Sequence, residues 1–359
     1  MRCSFDLERT NAMGFVLSGV LSHPGLSRRC RSSSRRSGQV FMEYESPPCS
    51  IKVIGVGGAG GNAVTRMLES GLDSVEFLCA NTDFQALTLF KESPGGGKRK
   101  IIQLGEDTCR GLGAGGEPAV GRQAAEESKP LLAKSLSGGD LVFITAGMGG
   151  GTGTGAAPVV ASVAKELGCL TVGVVTKPFM FEGRRRMSQG NRGLEDLRDA
   201  VDTLIVVSND KLLETIPNDT PLSDAFSVAD DVLRQGVSGI SDIILRPGLV
   251  NVDFADVKSV MEEKGYALLG IGFGTGDNRA KQAATNAIAS PLLDFPLTSA
   301  KGAVFNVKGG NDMTLAEVNS AAEVIYNSLD ADANIIFGAL VDDEYEGTIS
   351  VTVVATGFQ

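Results

Sequence analysis

The sequence predicts an α/β protein in which a parallel β-sheet, covered by helices on both faces, is joined by a long helix to a smaller α+β unit with a mixed sheet. Three observations favour this fold class. Apolar strand-like runs alternate with helical stretches up to about residue 208, a helical pattern with a period near 3.6 occupies 222–245, and the order of elements changes after residue 250. We therefore divide the chain into an N-terminal segment (1–50), a first domain (51–221), a central helix (222–247) and a C-terminal α+β domain (248–359).

The first domain has the pattern of a sheet that is buried on both faces. Its strand-like runs lie at 51–57, 75–80, 140–146, 170–176 and 203–208, and its helical stretches lie at about 60–70, 118–135, 155–167 and 186–200. Continuously apolar strands that alternate with helices indicate a parallel sheet, and ligands bind such sheets at the carboxyl ends of the strands. The run Gly95-Gly-Gly-Lys-Arg-Lys100 is interpreted as an exposed loop.

The central helix carries an apolar stripe that predicts packing against the core rather than a ligand-binding face. The stripe consists of Leu222, Phe226, Ala229, Leu233, Val237, Ile240 and Ile244. Arg246-Pro247-Gly248 ends the helix, because proline lacks the N–H that another turn requires. The C-terminal domain then has predicted helices at 254–264, 278–290 and 314–328 and predicted strands at 268–274, 303–308, 334–340 and 347–355.

Composition excludes several classes of function. The 359-residue chain has a formal net charge of −10, which argues against a nucleic-acid partner because such a partner requires a basic face. No stretch reaches the ~20 apolar residues that span a bilayer. The six cysteines form no CxxC pair, which fits a reducing compartment and gives no zinc site. The only histidine, His23, precedes the first domain, so catalysis or metal binding by histidine is excluded in both domains.

The most informative segment is Thr145-Ala-Gly-Met-Gly-Gly-Gly-Thr-Gly-Thr-Gly155, which lies between a strand-like run and a helical stretch. Glycine lets backbone N–H groups approach phosphate oxygens closely, and the N-terminus of the following helix adds unpaired N–H donors. The segment therefore predicts a polyphosphate cradle. A flexible linker is the alternative, but a linker would not be flanked by core elements.

A second glycine-rich turn, Gly55-Val-Gly-Gly-Ala-Gly60, follows the first strand and opens a helix. Alone it fits the dinucleotide fingerprint G-x-G-x-x-G, with Asp83 near the position of a ribose-binding acid. A nicotinamide-dependent oxidoreductase is therefore one alternative, and a nucleotide-binding module that does not polymerise is another. The presence of two cradles and the lack of a histidine to move a proton argue against the oxidoreductase. The chain has no GxxxxGK[ST] P-loop.

Five segments resemble, in order and spacing, the tubulin-like cell-division GTPase FtsZ. They are GGAGGNAV (57–64), GMGGGTGTGAAP (147–158), PFMFEGRRR (178–186), SNDKLL (208–213) and NVDFADVK (251–258). The resemblance extends over 51–359 and is strongest to the organelle-division members of algae and plants. It implies a tubulin/FtsZ-like fold, GTP binding with Mg²⁺ held mainly by the phosphates, and GTP hydrolysis stimulated by assembly. It also implies homopolymeric head-to-tail filaments in a plastid division ring, with a paralogous division GTPase and accessory proteins of the ring as further partners.

The resemblance assigns nucleotide-binding roles to residues that match the family motifs. The phosphates are assigned to Gly58, Ala59, Gly60, Gly61, Asn62, Gly150, Gly151, Thr152, Gly153 and Thr154. Glu182 is assigned to the ribose hydroxyls, Arg186 to negative charge, and Asn209 and Asp230 to guanine. From the residues alone, Glu182 and Arg186 are equally well a surface i,i+4 ion pair, and Asp230 lies on the polar face of the central helix.

The candidate catalytic loop is Asn251-Val-Asp253-Phe-Ala-Asp256. From the residues alone, an N-cap followed by a first-turn acid is the preferred interpretation. The resemblance instead assigns Asn251, Asp253 and Asp256 to a loop that enters the nucleotide pocket of the next subunit. There the carboxylates would polarise the water that attacks the γ-phosphate.

The two ends of the sequence give expectations about location. Residues 1–50 contain seven arginines, no lysine and four acids, a composition that predicts an organelle transit peptide. We expect the plastid stroma, with the mitochondrial matrix as the alternative; a signal-peptide apolar region at 13–21 and a disordered tail are the other interpretations. Family members usually continue into a linker and a peptide that binds membrane-tethering partners. The sequence ends at Gln359 without them, so we do not expect recruitment through such a peptide.

Overall fold

A ten-stranded sheet runs through the part of the chain that the structure describes. The computed structural model describes residues 49–71, 75–94, 96–213, 220–246, 248–250, 252–290, 292 and 297–358. These residues belong to one compact unit, Ser46–Gln359. The predicted transit peptide lies almost wholly outside the described residues.

The strands are β1 (Ile51–Val56), β2 (Glu76–Asn81), β3 (Lys98–Gln103), β4 (Leu141–Gly147), β5 (Leu170–Lys177), β6 (Thr203–Ser208), β7 (Gly265–Thr275), β8 (Gly302–Gly309), β9 (Asn334–Val341) and β10 (Thr348–Thr356). The helices are α1 (Gly57–Glu69), α2 (Phe84–Glu92), α3 (Glu106–Cys109), α4 (Pro118–Glu127), α5 (Lys129–Leu136), α6 (Thr152–Glu166), α7 (Arg184–Ala200), α8 (Asn209–Leu213), α9 (Leu222–Leu245), α10 (Phe254–Met261), α11 (Arg279–Ile288) and α12 (Leu315–Tyr326).

The strand order is β3-β2-β1-β4-β5-β6-β7-β10-β8-β9. Neighbouring strands are parallel, except that β10 is antiparallel to both β7 and β8. The predicted parallel sheet in the first domain and mixed sheet in the C-terminal domain are both confirmed.

Strand β7 joins the two parts of the sheet. Its first three residues, Gly265 to Ala267, pair with β6, and its residues from Ala267 to Thr275 pair with β10. The C-terminal α+β part therefore shares a hydrogen-bonded sheet with the first domain. The predicted domain boundaries at 221/222 and 247/248 stay predictions.

Apolar side chains fill both faces of the parallel part of the sheet. One cluster contains side chains of α1, α9 and α10, and the other contains side chains of α4 to α7. A third cluster packs α11 and α12 against the C-terminal strands. The central helix is confirmed as α9, and Leu233, Val237 and Ile240 of its predicted stripe are buried in the first cluster. Phe226 of that stripe is instead 41% exposed, because it lies beyond the covered face, beside an open cavity.

Two predictions about the first domain are wrong. The interpretation of 95–100 as a loop missed β3, an edge strand whose basic residues hide its period; such charges are common on edge strands because they oppose pairing with other chains. The single helix predicted at 118–135 is two helices, α4 and α5, which meet at Ser128. Pro130 lacks the N–H that a continuous helix would use at this point, and the hydroxyl of Ser128 accepts a hydrogen bond from the backbone N–H of Gly105 at 3.0 Å.

The other edge of the sheet, β9, carries a short piece of extended chain. Leu249 donates its backbone N–H to the carbonyl of Ala339 at 2.9 Å, and Ala339 donates to the carbonyl of Val250 at 3.4 Å. In the described part of the chain, no helix is both long enough and apolar enough to cross a membrane.

Candidate functional site

The two glycine-rich turns meet at the carboxyl ends of β1 and β4, which are neighbours in the sheet. Gly57 has a φ of +76°, and a Cβ there would lie 2.9 Å from the backbone nitrogen of Gly153. A Cβ on Gly60 would lie 2.4 Å from the carbonyl oxygen of Thr145. Because no side chain fits at these contacts, only glycine allows the backbones of the two turns to touch.

The N-termini of α1 and α6 both open at this point without a side-chain cap. Neither Val56 before α1 nor Gly151 before α6 provides a capping hydrogen bond, and neither helix has an acidic residue in its first turn. The unpaired N–H groups and positive dipole ends of two helices therefore converge, which favours an anion. A Cβ on Gly58 or on Gly150 would meet no atom within 4 Å, so both face open space.

A cavity of about 380 Å³ lies beside the two turns. Ten of the predicted site residues line it, namely Gly58, Ala59, Gly150, Gly151, Thr152, Gly153, Glu182, Arg186, Asn209 and Asp230. A neighbouring cavity of about 550 Å³ shares Gly58, Phe226 and Asp230 with it and is also lined by the predicted residues Gly61 and Asn62. We call these the phosphate-side cavity and the α1–α9 cavity.

Two of the predicted nucleotide-binding residues, Gly60 and Thr154, do not line either cavity. Gly60 packs against the backbone of β4, as described above. Thr154 is buried, and its hydroxyl accepts a hydrogen bond from the backbone N–H of Gly149 at 2.8 Å, which stabilises the turn from within. The hydroxyl of Thr152 lies 2.6 Å from that of Thr82, a contact that no pattern in the sequence predicts.

Glu182 and Arg186 form the i,i+4 ion pair that the sequence allowed, and both line the phosphate-side cavity. The Nη1 of Arg186 lies 2.6 Å from Oε2 of Glu182. The backbone N–H of Phe179 donates to Oε1 of Glu182 at 3.0 Å. The carboxylate is therefore fixed from two sides, while half of the Arg186 side chain stays exposed to the cavity and solvent.

Asn209, at the start of α8, brings an unpaired acceptor to the phosphate-side cavity. Its side chain is buried, and no described residue donates a hydrogen bond to its Oδ1. A buried acceptor without a partner is costly, so a donor from water or from a bound molecule is expected there. Hydroxyl or N–H groups of a nucleoside meet that requirement.

Asp230, on the third turn of α9, faces both cavities. Burial raises the pKa of its carboxyl to about 6, although the nearby Arg66 guanidinium acts in the opposite direction. Arg66 was not among the predicted residues. It lies on α1, 164 residues away in the sequence, and no local pattern marks a half-buried helical arginine as part of a site.

The predicted catalytic residues lie elsewhere. Asn251 is outside the described residues. Asp253 and Asp256 are exposed and line neither cavity. Asp253 caps α10, since its Oδ1 accepts a hydrogen bond from the backbone N–H of Asp256 at 2.8 Å. The capping geometry that the residues alone predict is therefore present, and both acids are exposed at the surface.

Asp83, the ribose-binding acid of the oxidoreductase alternative, is also engaged in capping. It is the N-cap of α2, and its Oδ1 accepts from the backbone N–H of Gln85 at 2.8 Å. Asp83 lines neither cavity, so the structure offers no support for that alternative. Among the described residues, no group of three or more His, Cys, Asp or Glu side chains is placed to hold a metal ion.

Two family models match the chain. The GTPase domain of the Tubulin/FtsZ family matches residues 50–217, and the C-terminal domain of the FtsZ family matches residues 265–359. Among solved structures, the chain is similar to an empty FtsZ dimer from M. jannaschii, with a TM-score of 0.81 and 45% identity over 86% of this chain and 88% of that one. A mutant of FtsZ from M. jannaschii gives a TM-score of 0.82 and 45% identity over 87% and 92% of the two chains.

The chain belongs to the Tubulin/FtsZ family. The first domain is thus a GTPase domain of this family, for which GTP or GDP is the nucleotide. The protein is also similar in fold to a GTPγS-bound protofilament of CetZ2 from Haloferax volcanii, with a TM-score of 0.68 and 19% identity over 86% of this chain and 93% of that one. The resemblance to FtsZ is confirmed at the level of the family, and the organelle-division subtype stays a prediction.

We predict that two substitutions in the same turn, Gly60→Ala and Gly58→Ala, have different effects on the free energy of unfolding. Gly60→Ala should lower the free energy of unfolding by about 1–3 kcal/mol, because the new Cβ overlaps a backbone oxygen that cannot rotate away. Gly58→Ala is the control, since its Cβ enters open space and alanine favours a helix. Urea unfolding of the nucleotide-free proteins measures both. Equal stability of the two variants would show that the turns are less closely packed than described.

Proposed function

We propose that this protein binds GTP in the phosphate-side cavity and hydrolyses it only when a second copy completes the site, so that hydrolysis is coupled to head-to-tail assembly into filaments. The observation that carries the proposal is the convergence of two uncapped helix N-termini on one open cavity. Family membership supports the GTP chemistry, and the exposed acids Asp253 and Asp256 support the need for a second copy.

The wall of the phosphate-side cavity matches the parts of a nucleotide. The N–H groups around Gly58 and Gly150 suit the phosphates, because backbone dipoles bind anions without adding mobile charge. The fixed carboxylate of Glu182 suits ribose hydroxyls as a hydrogen-bond acceptor. Asn209 and Asp230 supply acceptors for the N–H donors of guanine. Mg²⁺ would bind to phosphate oxygens and neutralise charge that develops on them during hydrolysis.

Among the described residues that line the phosphate-side cavity, each acid is already paired with an arginine, so none is free to orient the attacking water. The carboxylates that line the phosphate-side cavity are Glu182, which is paired with Arg186, and Asp230, which is paired with Arg66. Asp253 and Asp256 are exposed at the start of α10 and can reach the nucleotide of a neighbouring copy. A contact between two different surfaces produces an open filament when its rotation does not close into a ring, and we propose such a contact here. One solved relative in fold, CetZ2, is described as a protofilament.

We further propose that the filaments form an organelle division ring, in the plastid stroma as first choice and in the mitochondrial matrix as the alternative. The support is the resemblance to organelle-division members and the arginine-rich composition of residues 1–50. A second copy of the chain is the primary partner, and a paralogous division GTPase and accessory proteins of the ring are further proposed partners.

The shared site predicts that GTP turnover per molecule falls on dilution. Below the concentration at which copies associate, each cavity lacks the acids of its neighbour, and hydrolysis should slow toward the uncatalysed rate while GTP stays bound. Phosphate release over a dilution series, with GTP binding measured in parallel, tests this. Constant turnover per molecule at high dilution would show that each copy carries a complete site. Tight binding of NADH without binding of GTP would reject the GTPase function itself.

Asp253→Asn and Asp256→Asn should reduce turnover by about 10²-fold or more, on the scale of a lost water-positioning group. Asparagine caps a helix as well as aspartate does, so Asp253→Asn removes the charge and keeps α10 intact. GTP affinity should remain, and filaments seen by light scattering should persist for longer. Glu262→Ala, an exposed acid at the other end of α10, is the control. A comparable loss of GTP affinity in the two asparagine variants would place these acids in the pocket of their own chain.

A fusion of residues 1–50 to a fluorescent reporter in an algal cell should accumulate in the plastid as a shortened product. The arginine-rich, acid-poor composition is the reason for this expectation. A fusion lacking these residues is the control. Mitochondrial signal would select the alternative compartment, whereas uncleaved reporter in the cytosol would reject the transit peptide.

A further inference from the structure

An ion pair between α1 and α9 lies in the wall of the α1–α9 cavity. The Nε of Arg66 is 3.1 Å from Oδ2 of Asp230, and its Nη2 donates to Oγ of Ser227 at 2.8 Å. Ser227 and Asp230 are three residues apart on α9, so one guanidinium holds both side chains on the same face of the helix. Asp230 has no other side-chain hydrogen bond to the residues that the structure describes.

We propose that Arg66 is a positioning residue for base selection: it holds one oxygen of the Asp230 carboxylate and leaves the other oxygen directed to the N–H donors of guanine. This inference rests on the proposed GTP site and adds a residue that does not itself touch the base. Guanine presents N1–H and an amino group on the edge where adenine presents a ring nitrogen acceptor. A fixed, ionised carboxylate therefore favours guanine and repels adenine.

The discrimination requires that Asp230 be ionised. Once protonated, the carboxyl group carries an O–H that can donate a hydrogen bond to the ring nitrogen of adenine. Its preference for guanine therefore falls. Because burial raises the pKa of Asp230 and Arg66 opposes that effect, removal of the guanidinium raises the pKa further. The ionised fraction near neutral pH then decreases.

The other charged groups around Asp230 are engaged elsewhere or are acidic. Glu182 and Arg186, across the phosphate-side cavity, pair with each other. Asp231 and Arg234, the next charged groups on α9, also pair with each other. Glu69 on α1 lines the same cavity as Arg66 and is an acid, and the neutral Cys79 thiol of β2 also lines that cavity. Among the described residues, Arg66 is thus the cation that contacts the Asp230 carboxylate.

The test compares the ratio of the dissociation constants for ADP and GDP between pH 5.5 and 8.5, using the full chain. The terminal phosphate ionises equally in the two nucleotides, so its titration cancels in the ratio. In the wild type, selectivity for GDP should fall as the pH drops through about 6, where Asp230 gains its proton. In Arg66→Gln the selectivity at pH 7 should fall by about tenfold or more, the scale of a lost hydrogen bond to a charged group. Its midpoint should also move to higher pH.

Two further variants test whether the positive charge at this position is what matters. Arg66→Lys keeps the positive charge and should restore much of the selectivity and the midpoint. Arg234→Gln removes a similar ion pair one turn along α9 and should leave both unchanged. If Arg66→Gln does not fold, Ser227→Ala, which removes the bond to Nη2 and keeps the ion pair between Arg66 and Asp230, should show a smaller change in the same direction.

Several outcomes would overturn the inference. Tighter GDP binding by Arg66→Gln would show that Arg66 competes with the base for Asp230. Equal weakening of GDP and ADP with an unchanged pH midpoint would show a general role in folding or packing. If the wild type binds neither nucleotide, the proposed function fails. If it binds GDP selectively and Arg66→Gln does too, only the role of Arg66 fails.

Discussion

The contact between two glycine-rich turns at the ends of β1 and β4 is the constraint on which the rest of the site depends. Gly57 approaches Gly153 so closely that a Cβ has no room, and Gly60 lies against the backbone of β4 in the same way. Because β1 and β4 are paired in register, the helices that follow them start side by side. Their N-termini then point to one place, and the cavity opens there.

This geometry explains how a chain with a formal net charge of −10 provides a site for a polyphosphate. Backbone dipoles supply the positive potential locally, so the protein does not need a basic surface. The arginines beside the two cavities are paired with acids, Arg186 with Glu182 and Arg66 with Asp230. Their charges therefore serve mainly to orient carboxylates, which we propose as acceptors for the neutral donors of a nucleoside.

The sequence predicted those parts of the fold that local patterns encode. Apolar runs identified five strands of the first domain, and the period of 222–245 identified α9. The glycine segments identified the two turns that meet beside the cavity, and their role as a phosphate cradle stays a prediction. Strand β3 was missed because its basic residues mask the alternation, and the break at Ser128 was missed because α4 and α5 continue the same apolar pattern across it.

The rest of the site depends on contacts between residues that are distant in the sequence. Arg66 contacts Asp230 only because α1 and α9 pack on the same face of the sheet. The sequence around either residue does not predict this ion pair. Phe226 was assigned to the core because it fits the apolar period of α9. Its position beside the cavity follows from where α9 begins. There the centroid of its ring lies 5.3 Å from that of Phe179.

The two edges of the sheet restrict the ways in which copies of this chain can join. On one side β3 presents Lys98, Arg99 and Lys100, and a second strand of the same kind would be repelled by like charges. On the other side the backbone of β9 is partly engaged by Leu249 and Val250. Strand-to-strand growth, the route to amyloid, is therefore opposed at both borders. Any polymer that this protein forms would have to be built from folded surfaces, and it could come apart again without unfolding its subunits.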